Sequence, residues 1–181
     1  MITNLRESAI AATLLVALLP CASDALSRTT FGQDCLQESE SARNKAMARR
    51  VFEEGLSRGI YEVAYTDDFV GHGGGKSTFT HEAGMAEAKG WRQAFPDLTV
   101  SVDMMVAEDD MVAVRWTARG TNSGVGNGIP ATGKRVQTSG TAIFRFVDGA
   151  IAEEWTAGDS LGLLKQLGLM PPPAANTTQS K

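Results

Sequence analysis

Asp159, Glu153 and His72 are the side chains of this sequence best placed by type and spacing to move protons. Asp148-Gly149 turns a hairpin, because both residues tolerate positive φ and runs of strand formers flank them. Behind that turn Ile151, Glu153, Trp155, Ala157 and Asp159 fall at every second position, so an extended segment carries them on one face. A face mixing Ile and Trp with two carboxylates is not an ordinary core face, since an ionised carboxylate is costly to bury without a partner. It reads as the wall of a pocket. A carboxylate there works as a general base when a dry wall raises its pKa toward the operating pH, and Trp155 beside Asp159 could supply the dryness. His72, in a glycine-rich loop, could relay the proton.

Each residue also has a plainer reading. Asp159 directly precedes Ser160 and a leucine-patterned helix, where it would cap the helix and accept backbone N–H bonds. Glu153 stands beside Glu154, which must point the other way, so one of the two can simply face water. His72 can be a polar loop residue, and His81, after Thr80, reads as a first-turn surface residue. Arg115 and Trp116 are neighbours in a strand pattern and face opposite sides, Val112 and Val114 with Trp116, Thr117 with Arg115; the side lining a pocket stays open. Trp116, Trp91 and Phe144 read first as core and second as pocket lining.

The elements holding these residues follow from periodicity. Met47, Val51 and Leu56, with Ala48 and Phe52, recur at helical spacing between about Ser39 and Arg58, and Gly59 ends that helix. The spacing predicts a second short helix over Ile60 to Tyr65, then a turn and loop, TDDFVGHGGGKSTFT, with a brief extended piece at Phe69 to His72. Thr80 is placed to cap a helix that Pro96 stops. From Leu98 the period becomes two: strands are expected over Leu98 to Val106, Met111 to Arg119, Arg135 to Val147 and Ala150 to Asp159, with a long glycine-rich connection from Gly120 to Lys134. Leu161, Leu163, Leu164 and Leu167 then mark a closing helix with Gly168 as its stop. Helices followed by hairpins indicate an α+β domain: a curved, mixed or mostly antiparallel sheet wrapped on N-terminal helices, with a conical hollow.

Composition limits what such a domain does. The chain has 181 residues, 43% of them hydrophobic, and a net charge of -4 without charged blocks. No basic stripe interleaved with aromatics appears, which argues against a nucleic-acid partner. Residues 1–25 read as a signal peptide: Arg6 precedes an uncharged run from Ala9 to Leu19, too short to span a bilayer of ~30 Å and right for an h-region, with small residues before a cleavage point after Ala25. Export to a periplasm or medium is expected, with lipidation at Cys21 as the lesser alternative and no stable membrane span. Residues 26–38 read as a flexible segment, 39–169 as the domain and 170–181 as a disordered tail. Cleavage leaves Cys35 alone, so no intramolecular disulfide is expected. The two histidines lack a cysteine cluster or HExxH spacing, so no metal is expected. GHGGGK lacks the spacing of a phosphate loop, and no GxSxG elbow exists.

The phrases NKAMARRVFEEGLSRG, DDFVGHG, WRQAFPDLTVSVDMMVAEDDMVAVRWTARGTNSG, GIPATGKRV and IFRFVDGAIAEEWTAGDSLGLLKQLG resemble, in order and spacing, the SnoaL-like polyketide cyclase (ester cyclase) family of the nuclear-transport-factor-like superfamily. The resemblance covers about Asn44 to Gly168. It implies a cone-shaped fold with an interior pocket, a homodimer through the sheet, no metal or organic cofactor, and an aspartate acting as acid/base in an intramolecular aldol ring closure on a hydrophobic, carbonyl-bearing small molecule. Asp159 is the first candidate for that aspartate and Glu153 the next, with His72 as donor to the enolate oxygen. Trp155, Trp116, Trp91, Phe144 and Arg115 would bind the substrate. An export leader is out of place in a cytosolic antibiotic pathway, so the substrate does not carry over. Isomerisation, dehydration, epoxide opening, or carriage of an apolar ligand without turnover are the alternatives in the same fold.

Overall fold

The computed structural model describes residues 40–73 and 77–170, all inside one compact unit, Cys35–Lys181. The leader expected at 1–25, the segment 26–38 with Cys35, and the tail beyond Met170 lie outside the described residues.

The apolar stripe of Ala48, Val51 and Phe52 makes the first helix, α1, over 40–58. Its stretch Val51–Leu56 is wound as a π-helix that buries Phe52 and Gly55. Arg49 pairs with Glu53 and Arg50 with Glu54, each at 2.8 Å and one turn apart on its outer side. Gly59, at φ 74°, ends the helix. The second helix expected at Ile60 to Tyr65 is absent. Five residues between the glycine stop and Tyr65 are too few to repay helix nucleation, and the Ala64 carbonyl instead accepts from the Ile151 N–H at 2.9 Å. Strand β1 therefore runs over Tyr65–His72, starting well before the extended piece expected at Phe69.

A two-residue strand, β2 (Thr78–Phe79), follows unanticipated. Thr80 then caps α2 (His81–Ala94), its hydroxyl accepting from Ala83 N–H at 3.3 Å. The two hairpins after it are β3 (Thr99–Glu108) with β4 (Met111–Thr121), and β5 (Arg135–Val147) with β6 (Ala150–Gly158). Asp148 and Gly149 take positive φ in the second turn, as their types predict. Helix α3 (Ser160–Leu167) closes the domain, with Gly168 left-handed at its end. The glycine-rich connection between β4 and β5 is held by one buried amide: Asn122 donates to the carbonyls of Ala94 and Gly124 and accepts from the N–H and hydroxyl of Thr132.

The six strands form one sheet in the order β2-β1-β6-β5-β4-β3. All neighbours are antiparallel except β1 and β6, which are parallel. The inner face packs on the helices: Phe52 of α1 meets Phe144 at 5.9 Å and Trp116 at 6.1 Å between ring centres, and Leu163 and Leu167 of α3 join the same core.

The register shifts in three strand pairs, β1 with β6, β3 with β4 and β5 with β6, and the last of these decides the site. Arg145 pairs with Glu153 and Phe146 with Ile151, so Ala152 is an extra residue in β6. Such a bulge reverses which face later residues occupy. Ile151 is fully buried in the core, yet Glu153 and Trp155 do not share its face. After the bulge Glu154, Thr156 and Gly158 point inward and Glu153, Trp155 and Ala157 outward. The single pocket wall expected from strict alternation is thus divided between the two sides of the sheet.

Candidate active site

Paired residues of adjacent strands project to the same side and lie about 5 Å apart, so the register places Glu154 among its neighbours. Gly71 of β1 stands opposite Glu154 on one side and Phe144 of β5 on the other. Beyond Gly71 comes Phe79, and beyond Phe144 come Val112 and Ala107. One row across all six strands therefore holds a single carboxylate among two phenyl rings, a glycine and aliphatic groups. The row looks into a cavity of about 670 Å³, walled also by Val51, Leu56, Val63, Phe69 and Phe95.

Glu154 is half-buried on the cavity wall, and among the described residues nothing hydrogen-bonds to its carboxyl. Burial, with repulsion from Glu87 on α2 added, pushes it up to about 7. A carboxyl in that range exchanges its proton readily at neutral pH. Tyr65, lining the same cavity, has its phenol pushed upward by burial and by the Glu154 charge, which keeps it protonated as a donor. Its ring lies 5.0 Å from Phe69 and 4.3 Å from His81. Glu87 accepts from the Trp91 indole N–H at 3.1 Å, fixing that ring in the cavity wall.

Trp116 forms the floor toward α3. Its row continues to Gly140 and then Gly158, and the indole lies over both: a Cβ at Gly140 would collide with the ring. Glycine at both positions makes room for the largest side chain.

The expected site residues are distributed as follows. Trp116, Trp91 and Asp159 line the cavity. Asp159 stands at its exposed rim as the cap of α3, its carboxylate accepting from Gly162 N–H at 2.8 Å, so the capping reading holds at a pocket-lining position. Phe144 is fully buried beside Glu154, behind the cavity surface. His72, Trp155, Glu153 and Arg115 lie on the outer face. His72 stacks flat on Trp155 at 4.9 Å, its partner across the parallel seam. Glu153 pairs with Arg145 at 3.0 Å. Arg115 is exposed beside Thr141. The bulge at Ala152 is the reason for the Glu153 and Trp155 placements, and pairing in register with Trp155 carries His72 with them.

Glu154, Tyr65, Glu87 and Phe79 were not singled out by sequence. The doublet Glu153-Glu154 did signal that one acid faces inward, but not which one. His81 is exposed, as expected, though its ring also reaches the cavity through Tyr65. Among the described residues no cluster of three His, Cys, Asp or Glu could hold a metal ion, and no helix is long and apolar enough to cross a membrane.

An open six-stranded mixed sheet wrapped on helices, with an apolar cavity holding few polar groups, defines the α+β cone class of small-molecule pocket proteins. The chain belongs to the SnoaL-like polyketide cyclase family, whose model matches residues 45–167. It is similar in structure to AclR of Streptomyces galilaeus, provisionally a hydroxylase, at 31% identity and a TM-score of 0.64, covering 73% of this chain and 89% of that one. It is also similar to IdmH of Streptomyces antibioticus, provisionally a polyketide cyclase, at 28% identity and a TM-score of 0.60, covering 69% and 98%. TsrD of Streptomyces laurentii matches at 26% identity and a TM-score of 0.59, covering 73% and 97%. No curated protein matches the chain.

Proposed function

We propose that the chain is a cofactor-independent acid/base catalyst of the cyclase type, acting on an apolar, carbonyl-bearing small molecule with Glu154 as its base. The observation supporting this reading is the Glu154 carboxyl, which has no hydrogen-bond or ion-pair partner among the described residues and is set between apolar side chains on the wall of a cavity of about 670 Å³. Ionised, Glu154 removes a proton from carbon beside a carbonyl. The electron pair moves onto the carbonyl oxygen, where the Tyr65 hydroxyl donates a hydrogen bond to the enolate. The enolate carbon then attacks a second carbonyl of the same molecule, and the alkoxide formed takes the proton back from Glu154. One C–C bond is made, one C=O becomes C–OH, and no proton is gained or lost overall.

Charge supports the choice of substrate. Among the described residues the acidic lining groups are Glu87, Glu154 and Asp159, while the one lining guanidinium, Arg119, is exposed and donates to Gln137 at 2.8 Å. An uncharged reacting group suits the Glu154 end; a carboxylate there would meet like charge. Asp159, the base expected from the sequence, has a carboxylate already engaged as a helix cap, and in this reading it borders the entrance.

The outer sheet face supports a homodimer. Val106, Ala113, Ile143, Trp155 and His72 form one cross-strand row there, and Met104, Val106, Ile143 and Val147 are exposed large apolar side chains on that face.

The test is deuterium uptake from D2O into a panel of β-keto esters and related carbon acids, followed by mass spectrometry. Exchange that disappears in Glu154→Gln and persists in Asp159→Asn is the expected result. Exchange lost in Asp159→Asn alone would move the base to the rim. Binding of the same compounds without any exchange would make the protein a carrier.

A further inference from the structure

Phe79 belongs to the shortest strand of the sheet and reaches the site from the sheet edge, two strands from Glu154. The strand between them presents Gly71 at the matching position. Gly71 has no side chain, and the Phe79 ring occupies the space its Cβ would take: a Cβ built there would fall inside the ring's edge. The ring also rests against Gly84 of α2, where a Cβ would lie 3.1 Å from Phe79 Cε2. The ring therefore fills the space left by two glycines, one in β1 and one in α2, and covers the row position next to Glu154 on the wall of the same cavity. Phe144 closes the other flank from β5.

We infer that Phe79 is a positioning residue of this site: held over Gly71, it shuts water out from the β1 side of Glu154 and so keeps that carboxyl in its dry setting. The inference rests on Glu154 being the reacting acid, but it concerns the environment of that group rather than the reaction. Among the described residues, the ionisable groups lining the cavity with Glu154 are Tyr61 from the segment after α1, Tyr65 from β1, Glu87 and His81 from α2, Arg119 from β4 and, at the rim, Asp159 before α3; α1 offers Val51, Phe52 and Leu56, and β5 offers Phe144. None of these charges changes when Phe79 is replaced, which separates loss of dryness from loss of a charged neighbour.

The test reads Glu154 directly. The carboxyl stretch of Glu154 is isolated by infrared difference between the native chain and Glu154→Gln, and its intensity is followed from pH 3 to pH 9. Phe79→Ala is expected to lower the midpoint by about one pH unit or more, a shift of the size burial causes. Phe79→Leu, which still covers Gly71, should leave it nearly unchanged. Gly71→Ala, which expels the ring without touching its chemistry, should reproduce Phe79→Ala and serves if that variant does not fold. A midpoint unmoved in a folded Phe79→Ala or Gly71→Ala variant would overturn the inference. The two proposals fail separately: an unmoved midpoint with deuterium exchange intact removes Phe79 alone, while a moved midpoint without exchange in the native chain removes the reaction and leaves the shielding role standing.

Discussion

Glu154→Gln is expected to make the protein more stable in alkaline solution and to leave its stability unchanged in acid. The reason is proton linkage. An unfolded Glu154 titrates near 4.5 and the folded one near 7, so the folded state holds its proton more tightly across that interval. The stabilisation this gives is fully present below pH 4.5 and is lost as the pH rises through about 7. At roughly 1.4 kcal/mol for each tenfold change in proton concentration, the interval corresponds to about 3 kcal/mol. Glutamine resembles the protonated carboxyl in shape and does not ionise. Urea unfolding of both proteins at intervals from pH 4 to pH 9 should show coincident free energies at the acid end and a gap opening in favour of the variant to about 3 kcal/mol by pH 8.5. Glu87→Gln, which removes the smaller of the two causes, should close part of that gap. Two free-energy curves running parallel over the whole range would refute the reasoning, because a constant difference has no source in a titrating group.

Asp159→Ala should lower stability by about 1 kcal/mol, the usual cost of a lost N-cap, seen as a fall in the thermal midpoint. Ile143→Lys, at the centre of the exposed apolar row, should turn a dimer into a monomer in sedimentation velocity; a native chain that already sediments as a monomer at micromolar concentration would sink the dimer reading.

Much of the fold was legible because its signals are local. The hairpin at Asp148-Gly149, the Thr80 cap, the leucine spacing of α3 and the alternation of Val112, Val114 and Trp116 each depend on neighbours within a few residues. The site was less legible because it is built across strands. The inward direction of Glu154 follows from a bulge, and a bulge is set by pairing between β5 and β6, which no period in β6 alone reveals. The same cause hid β1: Tyr65 and Tyr61, four apart, satisfy a helical pattern, and only the partnership with Ile151 makes Tyr65 a strand residue. Phe79 looked like a loop residue because its strand is two residues long and has meaning only over Gly71. What could be read correctly about Asp159 was the competition between cap and pocket lining, and both descriptions apply.

The parallel seam between β1 and β6 has a further consequence for how the protein comes into being. Strands β3 to β6 form a simple meander that can zip together in the order of synthesis, whereas β1 and β2, which pair with each other, cannot join the rest of the sheet until β6 has left the ribosome. Pairings between such distant parts of a chain are slow to close. Gly71 meets Glu154, and His72 meets Trp155, only in that final step. A nascent or C-terminally shortened chain would thus carry an unfinished sheet edge and an unroofed cavity, with ligand binding acquired as the last strand docks.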